Sequence, residues 1–139
     1  MFRKSTIVLL STMILVSLST VAQALDLSGS WAGSWKDSGT GHHGPLWATF
    51  VQLEDGNYRV HFRGRFAKII PFRYSVVLNA TEEGDKVLLT GSSDISRRRG
   101  TFYYDAEATA TDFVSSFRSC KDQGQFVLER CSDGAKASK

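Results

Sequence analysis

The stretch Tyr58-Arg59-Val60-His61-Phe62-Arg63-Gly64-Arg65-Phe66 constrains the fold more than any other. Tyr58, Val60, Phe62 and Phe66 fall on one face, interrupted by Gly64, and Arg59, His61, Arg63 and Arg65 fall on the other. A helix, advancing about 100° per residue, would scatter both sets, whereas a strand points successive side chains to opposite faces. This segment is a strand with one apolar and one basic face.

The same period recurs along the chain. Ser30 to Lys36 places Trp31, Gly33 and Trp35 on one side, and Leu46 to Leu53 is a largely apolar strand candidate. Phe72 to Ala80 aligns Phe72, Tyr74, Val76, Leu78 and Ala80. Lys86 to Ser92 is short and rich in leucine and β-branched residues. Thr101 to Thr111 sets Phe102, Tyr104, Ala106, Ala108 and Ala110 against Tyr103, Asp105, Glu107 and Thr109. Asp112 to Arg118 and Gln125 to Arg130 complete the set, with Phe113, Phe117, Phe126 and Leu128 as inward anchors. Asp55-Gly56-Asn57, Glu83-Gly84-Asp85 and Lys121-Asp122-Gln123-Gly124 supply tight turns. Ser38 to Pro45 is a longer Gly-rich connection, and Pro71 punctuates the step before the next strand. No segment after residue 24 carries a helical stripe. The expectation is an all-β antiparallel meander of about eight strands, closed or nearly closed so that no edge is left unpaired.

Leu27-Ser28-Gly29-Ser30-Trp31, with Gly-x-Trp opening the first strand, resembles the start of calycin-type barrels such as lipocalins and avidins. The run of strands resembles them over most of the chain, and the resemblance implies a calycin-like barrel. The element Gly41-His42-His43-Gly44-Pro45-Leu46 resembles one found in small exported bacterial proteins of unknown function. That likeness implies secretion and a compact β fold, and no known activity.

The N-terminus has the three parts of a secretory signal. Arg3 and Lys4 form a basic start, a mostly apolar run extends from Ile7 to Val21, and Ala22-Gln23-Ala24 is a small-x-small cleavage site. The expectation is cleavage between Ala24 and Leu25, and export to the periplasm or the extracellular space. The competing reading is an uncleaved anchor. Ile7 to Ala24 is near the lower limit for spanning a bilayer, and it is broken by Ser11, Thr12, Ser17, Ser19 and Thr20. Removal of the signal leaves about 115 residues, a single-domain length able to bury its own core. The domain is read as residues 25–131, followed by a tail at 132–139 without apolar bulk. Loss of Arg3 and Lys4 lowers the formal charge from +3 to roughly +1, so no nucleic-acid partner is expected.

Cys120 and Cys131 are the only cysteines. An exported protein could join them, but an extended strand from Gln125 to Arg130 would hold their α-carbons roughly 20 Å apart at about 3.3 Å per residue. A disulfide requires less than about 7 Å. Bridged, free and intermolecular states all stay open.

Three places could carry function. The loop Gly39 to Pro45 holds adjacent His42 and His43, residues able to bind metal or exchange protons. A strand would point the two apart, and a metal needs further ligands, so local hydrogen bonding is the simpler reading. No metal and no cofactor is expected. The second place is basic. Arg59, Arg63, Arg65, Lys68 and Arg73 occur without an intervening acid, and Arg97-Arg98-Arg99 adds a triplet. Guanidinium forks suit carboxylate and phosphate, pointing to an anionic envelope polymer or lipid headgroup. The alternative is a solvated face balanced by acids elsewhere. The third is the interior, where Trp31, Trp35 and the other inward aromatics either line a pocket for a small apolar ligand or simply fill the core.

Catalytic signals are thin, with no Gly-x-Ser-x-Gly, His-Glu-x-x-His or phosphate-binding glycine loop. A transmembrane barrel is the remaining architecture, opposed by strands expected to fall short of the roughly 9–11 residues needed to span. The sequence therefore points to an exported, non-catalytic binding protein, with Trp31, Trp35, His42, His43, Arg63, Arg65 and Arg73 as candidate ligand contacts. The alternatives are a hydrolase centred on His42 and His43, and a structural envelope component.

Overall fold

The computed structural model describes residues 25–67, 69–96 and 100–132. Eight strands follow one another: β1 Gly29–Asp37, β2 His43–Gln52, β3 Tyr58–Phe66, β4 Ile70–Glu83, β5 Lys86–Ser96, β6 Gly100–Ala108, β7 Asp112–Arg118 and β8 Gln123–Arg130. Each pairs antiparallel with the next, and β8 returns to β1 to close the barrel. Closure runs from Trp31 opposite Arg130 to Asp37 opposite Gly124. A closed meander leaves no sheet edge open. The signal-peptide and anchor readings, Lys68, the triplet Arg97 to Arg99, and the tail after Ser132 lie outside the described residues.

Period-two alternation becomes the division between core and solvent. On β3, Tyr58, Val60, Phe62 and Gly64 are buried, and Arg59, His61, Arg63 and Arg65 are exposed. β6 and β7 alternate in the same way. β3 has the expected 9 residues, while β2 reaches 10 and β4 reaches 14, both longer than the sequence expectation. Length therefore does not argue against a membrane-spanning barrel. Face chemistry on β3 does, because its apolar residues point inward and its charged ones outward, the reverse of a lipid-embedded wall.

Several boundaries shift, the β1–β2 connection and the start of β4 among them. The connection after β1 shrinks to 38–42, since β2 already starts at His43. Gly44 fits there because a Cβ on it would meet the Arg65 carbonyl oxygen and, at 3.0 Å, the Trp35 indole nitrogen. β4 runs through Pro71, which sits one residue inside the strand start, where a missing N–H is tolerated.

The interior is filled by the protein's own rings. Phe62 stacks on Tyr74 with centroids 5.3 Å apart, Phe62 meets Phe126 at 5.3 Å, and Phe117 meets Phe126 at 4.9 Å. At the end of the barrel where β1 begins and β8 ends, Trp31, Phe50 and Phe113 form a second cluster with spacings of 5.3–6.4 Å. Burying each such ring contributes about 1.5–3 kcal/mol. Leu27 plugs this end, and its N–H donates to the Tyr58 hydroxyl at 3.1 Å. Arg130 lies over Trp31, 4.9 Å from the ring centroid, and its guanidinium donates to the Asp26 carbonyl at 2.6 Å. That latch joins the last strand to the segment leading into the first.

Three tyrosine hydroxyls enter this interior. Burial pushes Tyr74 well above the usual phenol value, with the neighbouring Tyr104 adding to the shift. Burial also raises Tyr104, whose hydroxyl is 3.0 Å from Ser93 Oγ, and Tyr58. All three stay neutral near pH 7. Cys120 and Cys131 are free. Cys120 is in the β7–β8 turn and Cys131 follows β8, so the length of that strand separates them, and no intrachain bridge forms.

Candidate functional site

Four consecutive outward positions on β3 are basic or imidazole-bearing: Arg59, His61, Arg63 and Arg65. Pairing with β4 sets Arg73 directly opposite Arg63, and pairing with β2 sets Trp47 on its other side. The result is a row of Trp47, Arg63 and Arg73 across three strands, with Arg65 and Pro71 as the next row toward the β3–β4 turn. These residues, with Gly64 and Phe72, line an open groove of about 460 Å³ on the barrel wall. Gly64, on the inner face of the same strand, has no side chain, which lets the Phe72 ring pack beneath the groove. A Cβ there would meet the Phe72 ring at 2.5 Å and the Pro45 carbonyl oxygen at 2.8 Å.

The electrostatics are one-sided. Arg63 lies over the Trp47 indole at 5.6 Å, a cation–π contact that holds the guanidinium without neutralising it. The ion pair found among the described residues, Lys86 to Glu107 at 3.0 Å, is toward the opposite end of the barrel. Among the described residues, Arg63, Arg65 and Arg73 thus have no carboxylate within 4.0 Å. Like charges set directly opposite across a sheet are destabilising. An oxyanion bridging them would remove that repulsion and fill guanidinium donors that now face water.

The acids concentrate elsewhere. Glu54 and Asp55 follow β2, Glu82 and Glu83 end β4, and Asp85 lies in the next turn. All are at the end of the barrel away from the β3–β4 turn. The molecule is charge-polarised along its axis, although its net charge is small.

The other sequence candidates divide. Trp31 is fully buried and donates through Nε1 to the Leu27 carbonyl at 3.0 Å. Trp35 is 8% exposed, stacks on Phe66 at 6.0 Å, and donates through Nε1 to the Arg65 carbonyl at 3.1 Å. Both are core residues, and Trp35 also braces the groove strand from inside. His42 is edge-on to Phe66 at 5.0 Å, and His43 Nδ1 is 3.3 Å from the Gly41 carbonyl. His61 is on the wall, its Nδ1 2.6 Å from Ser75 Oγ. No group of three metal-ligating side chains forms among the described residues. The structure therefore gathers Arg63, Arg65 and Arg73 but leaves Trp31, Trp35, His42 and His43 out of their groove.

Trp47 is the groove residue missed from sequence. Its signal was available: Leu46, Ala48 and Phe50 are inward, so period two turns Trp47 outward. Set against protein-family models, curated proteins and solved structures, the chain matches none.

Proposed function

We propose that this chain is an exported, non-catalytic binding protein that holds an anionic group of an envelope component in the Trp47–Arg63–Arg65–Arg73 groove. The observation that carries the reading is Arg63 opposite Arg73, with Arg65 beside them and no carboxylate among the described residues to neutralise the three. The groove offers guanidinium donors and apolar rings and no hydroxyl, thiol, imidazole or carboxyl group, which favours holding an anion over transforming it. The filling of the barrel by its own rings favours the outer wall over the interior as the binding surface. The reading as a calycin-like barrel is supported by Gly29-Ser30-Trp31 at the entry to β1 and by the up-and-down strand order. Cleavage after Ala24 rests on the small-x-small pattern at Ala22-Gln23-Ala24.

Calorimetric titration with pyrophosphate and with oligogalacturonate at low salt tests it. The wild type binds, and replacing Arg63, Arg65 and Arg73 by Gln lowers affinity at least about tenfold, as expected for charge-assisted hydrogen bonds. Equal affinity in that variant would remove the site.

A further inference from the structure

The β3–β4 hairpin ends in two exposed isoleucines. Ile69 is 80% exposed and Ile70 is 54% exposed. Single apolar side chains scattered over a surface are ordinary. These two are adjacent, at a hairpin tip, and beside a cationic groove. Ile70 is the register partner of Phe66, and Arg65 faces Pro71 one step further in, so the apolar tip and the arginine rows lie at the same end of the barrel. The turn is built: the Ile69 N–H donates to the Phe66 carbonyl at 3.3 Å, and Ala67 holds a left-handed φ of 51°. An alanine keeps that conformation only where the surrounding structure imposes it.

We propose that this hairpin is a membrane-docking element for an anionic lipid surface. Ile69 and Ile70 enter the boundary between headgroups and acyl chains, and Arg63, Arg65 and Arg73 bind the lipid phosphates behind them. The proposal rests on the anion-binding reading above and names its partner. A hydrated polyanion would use the arginines and gain nothing from the isoleucines, whereas a lipid surface uses both. Trp47, half-buried at the groove edge, belongs to a residue type that favours the membrane interface. Charge polarity supplies the orientation. Glu54, Asp55, Glu82, Glu83 and Asp85 are at the far end, so a negative surface attracts the hairpin end and repels the other.

The test is flotation of the mature protein with vesicles of phosphatidylcholine containing about one-third phosphatidylglycerol, against pure phosphatidylcholine vesicles. The wild type binds the anionic vesicles and not the neutral ones. The pair Ile69→Ser and Ile70→Ser lowers partitioning about tenfold, because the apolar contribution is lost. It leaves pyrophosphate affinity unchanged, and its melting temperature reports that the fold is intact. Replacing the three arginines by Gln lowers partitioning about a hundredfold, near fivefold for each basic residue at an anionic surface. Vesicle binding undiminished in the isoleucine variant overturns the docking proposal. So does a wild type that binds pyrophosphate but not anionic vesicles, and both results leave the anion site standing. Pyrophosphate affinity undiminished in the arginine variant overturns the anion-binding reading itself.

Discussion

The indole N–H of Trp35 donates to the main-chain carbonyl of Arg65 at 3.1 Å, joining a core residue of β1 to the last basic position of β3. The bond is possible because Gly44, between the two, carries no side chain. Packing inside the barrel therefore sets the backbone position of a residue that acts outside it. Trp35→Phe keeps the ring but leaves that carbonyl unpaired, and destabilises by about 1–2 kcal/mol. Anion affinity falls too, although no charge has been touched. Trp31→Phe, at the other end, destabilises without changing affinity. Thermal melts with parallel calorimetry separate the two, and unchanged affinity in Trp35→Phe would contradict the bracing role.

Arg63 and Arg73 face each other, and no carboxylate among the described residues pairs with either. Arg73→Gln should therefore leave stability unchanged or raise it by up to about 0.5 kcal/mol, since a like-charge pair is relieved. The same change weakens anion binding. Added salt raises the wild-type melting temperature by screening the pair, and does so less in the variant. A large loss of stability in Arg73→Gln would mean that the side chain is structural.

Gly64 leaves the space that the Phe72 ring occupies. Gly64→Ala places a methyl 2.5 Å from that ring and 2.8 Å from the Pro45 carbonyl oxygen. One of them must move, at a cost of about 1–3 kcal/mol for overpacking. Chemical denaturation checks the value, and a neutral substitution would show that the β2–β3–β4 wall is looser than described.

Asp37 organises the β1–β2 turn, its carboxylate accepting the Gly39 N–H at 2.8 Å and the Thr40 N–H at 3.1 Å. Burial raises its pKa, but the two amides, with Asp122 and the Thr40 side chain, outweigh that and hold it below 3.8. A carboxyl whose folded value is lowered stabilises the protein above its unfolded value. That stabilisation is lost as pH falls through the folded value. Stability therefore declines below about pH 3.8 partly through this group. Asp37→Asn flattens that part of the curve, and Asp37→Ala costs about 1–2 kcal/mol at pH 7. Melting temperatures from pH 7 down to about 2 measure both. An acid limb as steep in Asp37→Asn as in the wild type would assign the sensitivity elsewhere.

The barrel was legible because apolar and polar residues alternate over most of its strands. β3 and β7 were bounded correctly at Tyr58–Phe66 and Asp112–Arg118. Errors fell where a residue's local habit was overridden by a distant partner. Gly44 and Pro45 have turn chemistry but join β2, because the Trp35 ring and the Arg65 carbonyl need the space above Gly44. β5 continues through Ser92 and Asp94, with no apolar alternation to announce it, because β6 pairs with it there. At the site, the arginines were visible as a run without acids. Their cross-strand register was not, because Arg63 and Arg73 come together only through the hairpin. Trp31 and Trp35 looked like pocket residues for the reason that makes them core: strand period cannot distinguish a lined cavity from a filled one.

The most direct test of the anion site is a pair of amide and indole NMR spectra of the ¹⁵N-labelled protein, recorded during titration with pyrophosphate. The site predicts saturable shifts confined to the Trp47 indole and the amides of Arg63, Arg65 and Arg73, with the Trp31 indole unmoved. Shifts concentrated at the β1–β2 loop around His42 and His43, or no saturable shift at all, would contradict it.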